Sequence, residues 1–389
     1  MENKFNYVVL GAGRQGTSAA YDLAKFGYAN SIILADRDMI AAKNAAHRIN
    51  SLLQTNIIQS QTIDVTNEND LVKLLIGADV TLSAVPYYYN LGITKAAIKA
   101  KTSLCDMGGH TGIVRQQLAL DKQAKEAGIS IVPDCGMGPG LIVTMAAFVI
   151  NLFDTPQEIY IYDGGLPQNP IPPWNYQSTF HINGLTNEMD GDAYFIRNGK
   201  VTPVATLTEP EFIDFPPLGK LEADITSGGL STSPWTFESK LEIYQNKTLR
   251  YPGHFEWWRA YKALGLFSEN PLKIKGTEIV PRDIFHALLT PHISAEDIHD
   301  VCAIRIRGVG EINYKTEVIH LDLLDYYDPV TKFTAMERLT GWHCSIMMIF
   351  QALGKVQPGG TKMEIAVPPE EFMDEVKKRG INFRINSIN

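Results

Sequence analysis

Val8-Val9-Leu10-Gly11-Ala12-Gly13-Arg14-Gln15-Gly16 sets a GxGxxG pattern between a β-branched apolar run and the amphipathic stretch Thr17–Phe26. A glycine pattern alone is weak; between a strand and a helix it specifies a cofactor turn. Gly11 permits the tight turn, Gly13 lets the backbone approach a pyrophosphate, and Gly16 allows close helix packing. The helix N-terminus then offers unpaired N–H donors to phosphate. Gln15 and Arg14 sit in the same turn and are counted with it.

Outward from this turn, short apolar runs alternate with helical patterns. Asn6–Leu10, Ser31–Ala35, Ile57–Ile63, Asp79–Ala84, Thr102–Cys105 and Ile129–Val132 read as strands, and Thr17–Phe26 and Val114–Ala127 read as helices. This alternation predicts an α/β fold, a doubly wound parallel sheet of Rossmann type. Asp36 stands twenty residues after Gly16 at the end of the second strand, where a carboxylate accepts from the adenosine ribose hydroxyls. NAD is therefore expected, while Arg37, able to pair with a 2′-phosphate, leaves NADP open. Asp64 and Val65 close the third strand and Ala84-Val85-Pro86 the fourth. Carboxyl ends of strands carry the dinucleotide in such sheets. Asp64 is read either as an adenine neighbour or as a cap for the helix near Asn67.

The chain has 389 residues, 45% hydrophobic and 20% charged, a size that suits two domains. Its 43 acidic and 35 basic side chains give a formal charge of −8 with no long basic run, which argues against nucleic acid as a partner. Four scattered cysteines without a CxxC pair fit neither a zinc site nor a disulfide framework, and a reducing cytoplasm is expected. No secretory pattern is read at Met1. The longest nearly apolar run, Leu141 to Phe153, is shorter than the roughly 20 residues of a membrane span and reads as a buried helix. Beyond about residue 155, Pro and Gly clusters and strands such as Ala303–Arg307 and Thr316–Leu321 indicate a mixed or antiparallel domain. Lys315–Thr334 reads as two strands around a Tyr326–Lys332 turn. Helices are expected over Gly341–Ala352 and Pro368–Arg379.

Asp134 ends the sixth strand, before Cys135-Gly136-Met137-Gly138 and Pro139. It is either a general acid or base facing the nicotinamide or a cap for the helix near Pro139. Met107, Gly108 and Gly109 follow the fifth strand as cofactor contacts. His110 beside them is an acid or base, or an exposed loop histidine. The histidines show no metal-ligand spacing, so no metal is expected.

Taken together, these segments resemble the saccharopine dehydrogenase-like enzymes, and within them the lysine 6-dehydrogenases. The resemblance is carried by Asp106–His110, Pro133–Gly140, Gly164–Pro167, Gly219–Gly229, Lys247–His254, Pro281-Arg282-Asp283, Thr334-Ala335-Met336 and Phe372–Gly380. It implies a Rossmann domain over residues 1–135, completed by C-terminal helices in 341–389. An inserted α+β domain over 136–340 would serve substrate binding and dimerisation, giving a homodimer or dimer-based oligomer. It also implies Tyr87 as a substrate-contacting tyrosine with a catalytic role, or as packing above the nicotinamide. In the run Lys247–His254, Arg250 is the candidate for a substrate carboxylate, with Lys247 and His254 beside it. Cys135 departs from the family pattern, as a thiol near the substrate or a small apolar residue. The activity implied is NAD(P)-dependent oxidative deamination of the L-lysine ε-amine, a small-molecule amino-acid substrate, with saccharopine-type or carboxynorspermidine-type secondary-amine chemistry as the alternative. A non-catalytic dinucleotide sensor is the reading from another class.

Overall fold

The computed structural model describes residues 4–295 and 297–388. Six parallel strands come first, β1 (Phe5–Leu10), β2 (Ala29–Asp36), β3 (Ile58–Thr62), β4 (Val80–Ser83), β5 (Ser103–Asp106) and β6 (Ser130–Val132). Between them lie α1 (Arg14–Phe26), α2 (Met39–Leu53), α3 (Glu68–Leu75), α4 (Asn90–Ala100), α5 (Thr111–Leu118) and α6 (Asp121–Ala127), followed by α7 (Leu141–Ile150). One helix is expected over Val114–Ala127; two form, broken at Ala119-Leu120.

The second half contains β7 (Thr155–Pro167), α8 (Ile182–Glu188), β8 (Asp192–Arg197), β9 (Lys200–Ala205), β10 (Glu211–Phe215), β11 (Gly219–Asp224), α9 (Ser233–Phe237) and β12 (Ile243–Arg250). Then come α10 (His254–Ala263), a small hairpin β13 (Leu272–Ile274) and β14 (Thr277–Ile279), α11 (Pro281–Ile293), β15 (Asp300–Ile312), β16 (Lys315–Tyr326) and α12 (Ala335–Ala352). The chain closes with β17 (Gly359–Gly360), α13 (Pro369–Lys378) and β18 (Phe383–Ile388).

The parallel sheet has the strand order β17-β6-β5-β4-β1-β2-β3. The order reverses between β1 and β4, where dinucleotides bind in doubly wound sheets. Register aligns the strand ends there: Leu10 pairs with Ala35 and Ser83, Ser83 with Asp106, and Cys105 with Val132. Gly11, Asp36, Ala84, Met107 and the Pro133-Asp134 step thus emerge along one edge. The central strands are buried because helices cover both faces, while the edge strand β3 stays largely exposed, and α12 on one face buries every residue except Arg338 and Ala352. Its tight approach to α1 depends on Gly341, where a Cβ would lie 2.9 Å from the Gln15 carbonyl oxygen.

The mixed sheet has nine strands in the order β10-β11-β12-β7-β15-β16-β18, with β8 and β9 branching from β12. Only the β12–β7 pair is parallel. Two expectations fail here. Lys315–Tyr326 is one strand paired along its length with β15. The residues after it lead into α12, whose capping box joins Thr334 and Glu337, a T-x-x-E signal that marks a helix start and moves it six residues ahead of Gly341. Residues 341–389 also do not all serve the parallel sheet. β17 joins β6, whereas β18 pairs with β16 and so satisfies backbone groups at the free edge of the second sheet. No helix among the described residues is long and apolar enough to cross a membrane.

Candidate active site

The glycine turn has the geometry that a dinucleotide requires. Gly11 sits at φ +107°, and a Cβ there would lie 2.5 Å from the Ala84 carbonyl oxygen. A Cβ on Gly16 would collide with the Gly11 carbonyl, while one on Gly13 would meet nothing within 4 Å. The space above Gly13 is open for a phosphate, and α1 begins there without a side-chain cap or an acidic first turn. Asp36 accepts from the Ala12 N–H at 2.8 Å and from Asp38 N–H at 2.9 Å. It stiffens the turn and keeps acceptor capacity for ribose hydroxyls. These residues fit a nicotinamide dinucleotide.

Arg14 and Arg37 are exposed at the same edge, and Arg14 reaches the Ala295 carbonyl at 3.3 Å. Asp64 is turned onto its own Thr66, accepting from its N–H and hydroxyl at 2.9 and 2.7 Å, bonds that hold its pKa below the usual carboxylate range. The cap of α3 is Asn67, not Asp64. Val65 packs on the core under this loop.

Between the two domains lies a cleft of about 800 Å³, and Ala84, Val85, Pro86, Met107, Gly108 and Gly109 form its Rossmann wall. Tyr87, His110 and Asp134 line the same cleft. The Tyr87 and His110 rings stack with centroids 5.6 Å apart, and His110 Nδ1 accepts from Ile113 N–H, capping α5. Asp134 is 2% exposed and adopts φ +64°, a left-handed conformation unusual for a non-glycine residue. Its Oδ2 accepts from the Ser231 hydroxyl, and its Oδ1 has no partner among the described residues. Burial, and then the charge of Asp106, push its pKa up to about 7. The N-cap of α7 is Gly140, with no side-chain cap, so Asp134 is not its cap.

The run Lys247–His254 does not act as a unit. Successive strand residues point to opposite faces, so Asn246, Thr248 and Arg250 look toward the Rossmann domain while Lys247 looks away. Arg250 lines an inner recess of about 210 Å³ with Gln15, Asp163, Glu188, Thr248 and Met336. Lys247 pairs with Glu211 at 2.8 Å on the far face, which removes it from the substrate set. His254 is removed as well: it is buried among Tyr176, Phe255 and Trp258, where burial drives its pKa well below the ordinary value and keeps the ring neutral. Cys135 points into the core, its thiol toward the Val132 carbonyl at 3.4 Å, and touches no cleft.

The cleft also holds residues that the sequence reading missed. Asp163, 6% exposed, accepts from Asn246 at 3.0 Å. Its only sequence signal is the Gly164-Gly165 that follows it. Glu188 at the end of α8 has no signal. Arg282, carried by the Pro281-Arg282-Asp283 segment and so not among the missed residues, enters from α11, paired with Glu269 at 2.6 Å.

Two family models match the chain. The saccharopine dehydrogenase NADP binding domain matches residues 7–132 and the saccharopine dehydrogenase C-terminal domain residues 136–381. Carboxynorspermidine synthase of Vibrio cholerae is 24% identical over 301 residues, 72% of this chain and 71% of that protein. Saccharopine dehydrogenase (NADP(+), L-glutamate-forming) of Saccharomyces cerevisiae is 25% identical over 151 residues, 37% of this chain and only 33% of that enzyme. The structure of the apo L-Glu-forming saccharopine dehydrogenase from Saccharomyces cerevisiae superposes with a TM-score of 0.80 at 19% identity, covering 99% of this chain and 100% of that one. At that identity the likeness is one of fold. The chain belongs to the saccharopine dehydrogenase family, and its N-terminal third is the NAD(P)-binding domain of that family.

Proposed function

We propose that this member of the saccharopine dehydrogenase family is an NAD(P)-dependent oxidoreductase that oxidatively deaminates the ε-amine of L-lysine, giving 2-aminoadipate 6-semialdehyde and ammonia. The observation that carries the proposal is Asp134, a buried carboxyl with a pKa of about 7, in a cleft whose inner recess holds Arg250.

The glycine turn and Asp36 hold the dinucleotide, with NAD the expected form. When bound, the nicotinamide supplies the hydride acceptor. Asp134 takes the proton that the substrate ammonium must lose before its C–H bond can give up hydride. That proton passes to solvent through the cleft, and the carboxylate so restored deprotonates water for attack on the imine carbon and returns this second proton to the departing ammonia. Tyr87 and His110 close the cleft beside it and keep bulk water from the reacting carbon. Arg250 receives the substrate carboxylate.

The charge of the lining favours an amine-rich substrate. Asp134, Asp163, Glu188, Glu269 and Asp283 face two guanidiniums, Arg250 and Arg282, and both guanidiniums have carboxylate neighbours. A tricarboxylate such as saccharopine would need more unpaired cations. The second reading is oxidation or formation of a secondary amine, supported by Arg282 as a second carboxylate anchor and by the alignment with carboxynorspermidine synthase. Absorbance of reduced nicotinamide on mixing protein, L-lysine and NAD or NADP tests the first reading. No signal with either cofactor refutes it, and turnover that requires a keto acid with reduced cofactor establishes the second.

A further inference from the structure

The inner recess is built around an unsaturated guanidinium. Arg250 is 4% exposed; its Nη1 donates to the adjacent Leu249 carbonyl at 2.9 Å and its Nε has no partner among the described residues. Its Nη2 lies 3.8 Å from Glu188, too far for a charge-assisted hydrogen bond. The Tyr176 ring lies 5.1 Å from the guanidinium carbon and holds the group in place. A structural arginine buried this deeply would normally satisfy all its donors.

Two carboxyl groups share the recess with it. Asp163 is fixed by Asn246, and its Oδ2 lies 3.2 Å from where a Cβ on Gly138 would stand. Glu188 is 30% exposed, toward the cleft. Two carboxyls face one guanidinium, so the recess holds more acidic groups than Arg250 can neutralise; desolvation raises the pKa of Glu188 to about 7 and of Asp163 to about 6, against the lowering pull of Arg250. His254, neutral behind Arg250, adds no cation. One fixed cation flanked by two acidic groups mirrors the zwitterion of an α-amino acid.

We propose that this recess binds the α-carbon head group of an α-amino acid, its carboxylate on Arg250 and its α-ammonium between Asp163 and Glu188, making Asp163 and Glu188 specificity-determining residues. The proposal rests on amine oxidation only for what lies farther out, at Asp134. The recess joins the large cleft through Met107, Gly138 and Phe180, so a chain held by its head group there extends toward Asp134. Simple ω-amino acids and diamines, each lacking half of the head group, are selected against.

Calorimetric titration of the NADH-saturated protein tests this with L-norleucine, hexanoate and n-pentylamine, which share a chain but differ in head group. L-Norleucine is expected to bind at least tenfold more tightly than either partial analogue. Glu188→Gln and Asp163→Asn should each weaken L-norleucine by tenfold or more while changing hexanoate less than twofold; Arg250→Lys should weaken both acids. NADH affinity and the melting curve of each variant report that the fold is kept. Hexanoate binding as tightly as L-norleucine, no binding of L-norleucine, or carboxamide variants that bind it as the parent does would overturn the proposal. Binding of L-norleucine without turnover of L-lysine leaves the head-group site standing and removes the deamination reading. Turnover of L-lysine and 6-aminohexanoate with equal kcat/KM does the reverse.

Discussion

Asp106 holds Asp134 by its backbone: its Oδ1 accepts from the Asp134 N–H at 3.1 Å and from the Gly108 N–H at 2.8 Å, while Gln117 donates to its Oδ2 at 2.7 Å. One buried carboxyl thus fixes the loop that presents another, and its charge raises the pKa of the second. Removing a carboxyl in this arrangement separates catalysis from stability.

Asp134→Asn is expected to lower kcat by about 10²- to 10⁴-fold, the usual contribution of a general acid or base, with NADH affinity unchanged within twofold. Its stability effect has the opposite sign. The folded pKa of about 7 exceeds the unfolded value of about 3.9, so the cost of burying the charged form builds up as pH rises between these values. The variant should therefore melt higher than the parent at pH 8, on the order of 2–4 kcal/mol more stable, with the gain vanishing near pH 4. Calorimetric melts at the two pH values decide this.

Proton abstraction by Asp134 requires its ionised form, so kcat/KM should fall on the acid side with a midpoint near its pKa of about 7. The Ser231 hydroxyl donates to this carboxylate and lowers its pKa. Ser231→Ala should move the acid limb to higher pH, and a pH-rate profile that leaves the limb in place counts against Asp134 as the titrating base.

Gly13→Val should fold, because a Cβ there meets nothing within 4 Å, yet weaken dinucleotide binding at least tenfold by filling the space over the turn. Gly11→Ala should lower thermal stability instead, since its φ of +107° and the nearby Ala84 carbonyl penalise any side chain. Fluorescence titration with NADH, paired with melting curves, separates the two effects.

Lys247→Met should leave KM and kcat for the amine within twofold while destabilising the protein by about 1–2 kcal/mol, because its ammonium is buried against Glu211 on the face turned away from the cleft. A tenfold rise in KM would return Lys247 to the substrate site.

The sequence by itself determined the parallel sheet, the glycine turn, Asp36 and the position of Asp134. These depend on local properties: hydrophobic periodicity, glycine conformations and the rule that ligands meet strand ends. The segment that carries the family resemblance also singled out Arg250, which lines the inner recess. Lys247 and His254 were misplaced because a contiguous run says nothing about which face of a strand or helix a residue takes once the partner elements arrive. Tertiary structure alone decided that question. It set Lys247 opposite Glu211, buried His254 among aromatic rings, turned the Cys135 thiol into the core and brought Asp163 and Glu188, 25 residues apart in sequence, beside Arg250. The reason is that charge pairing and desolvation act on distances through space, which the packing of the two sheets fixes and no local pattern records.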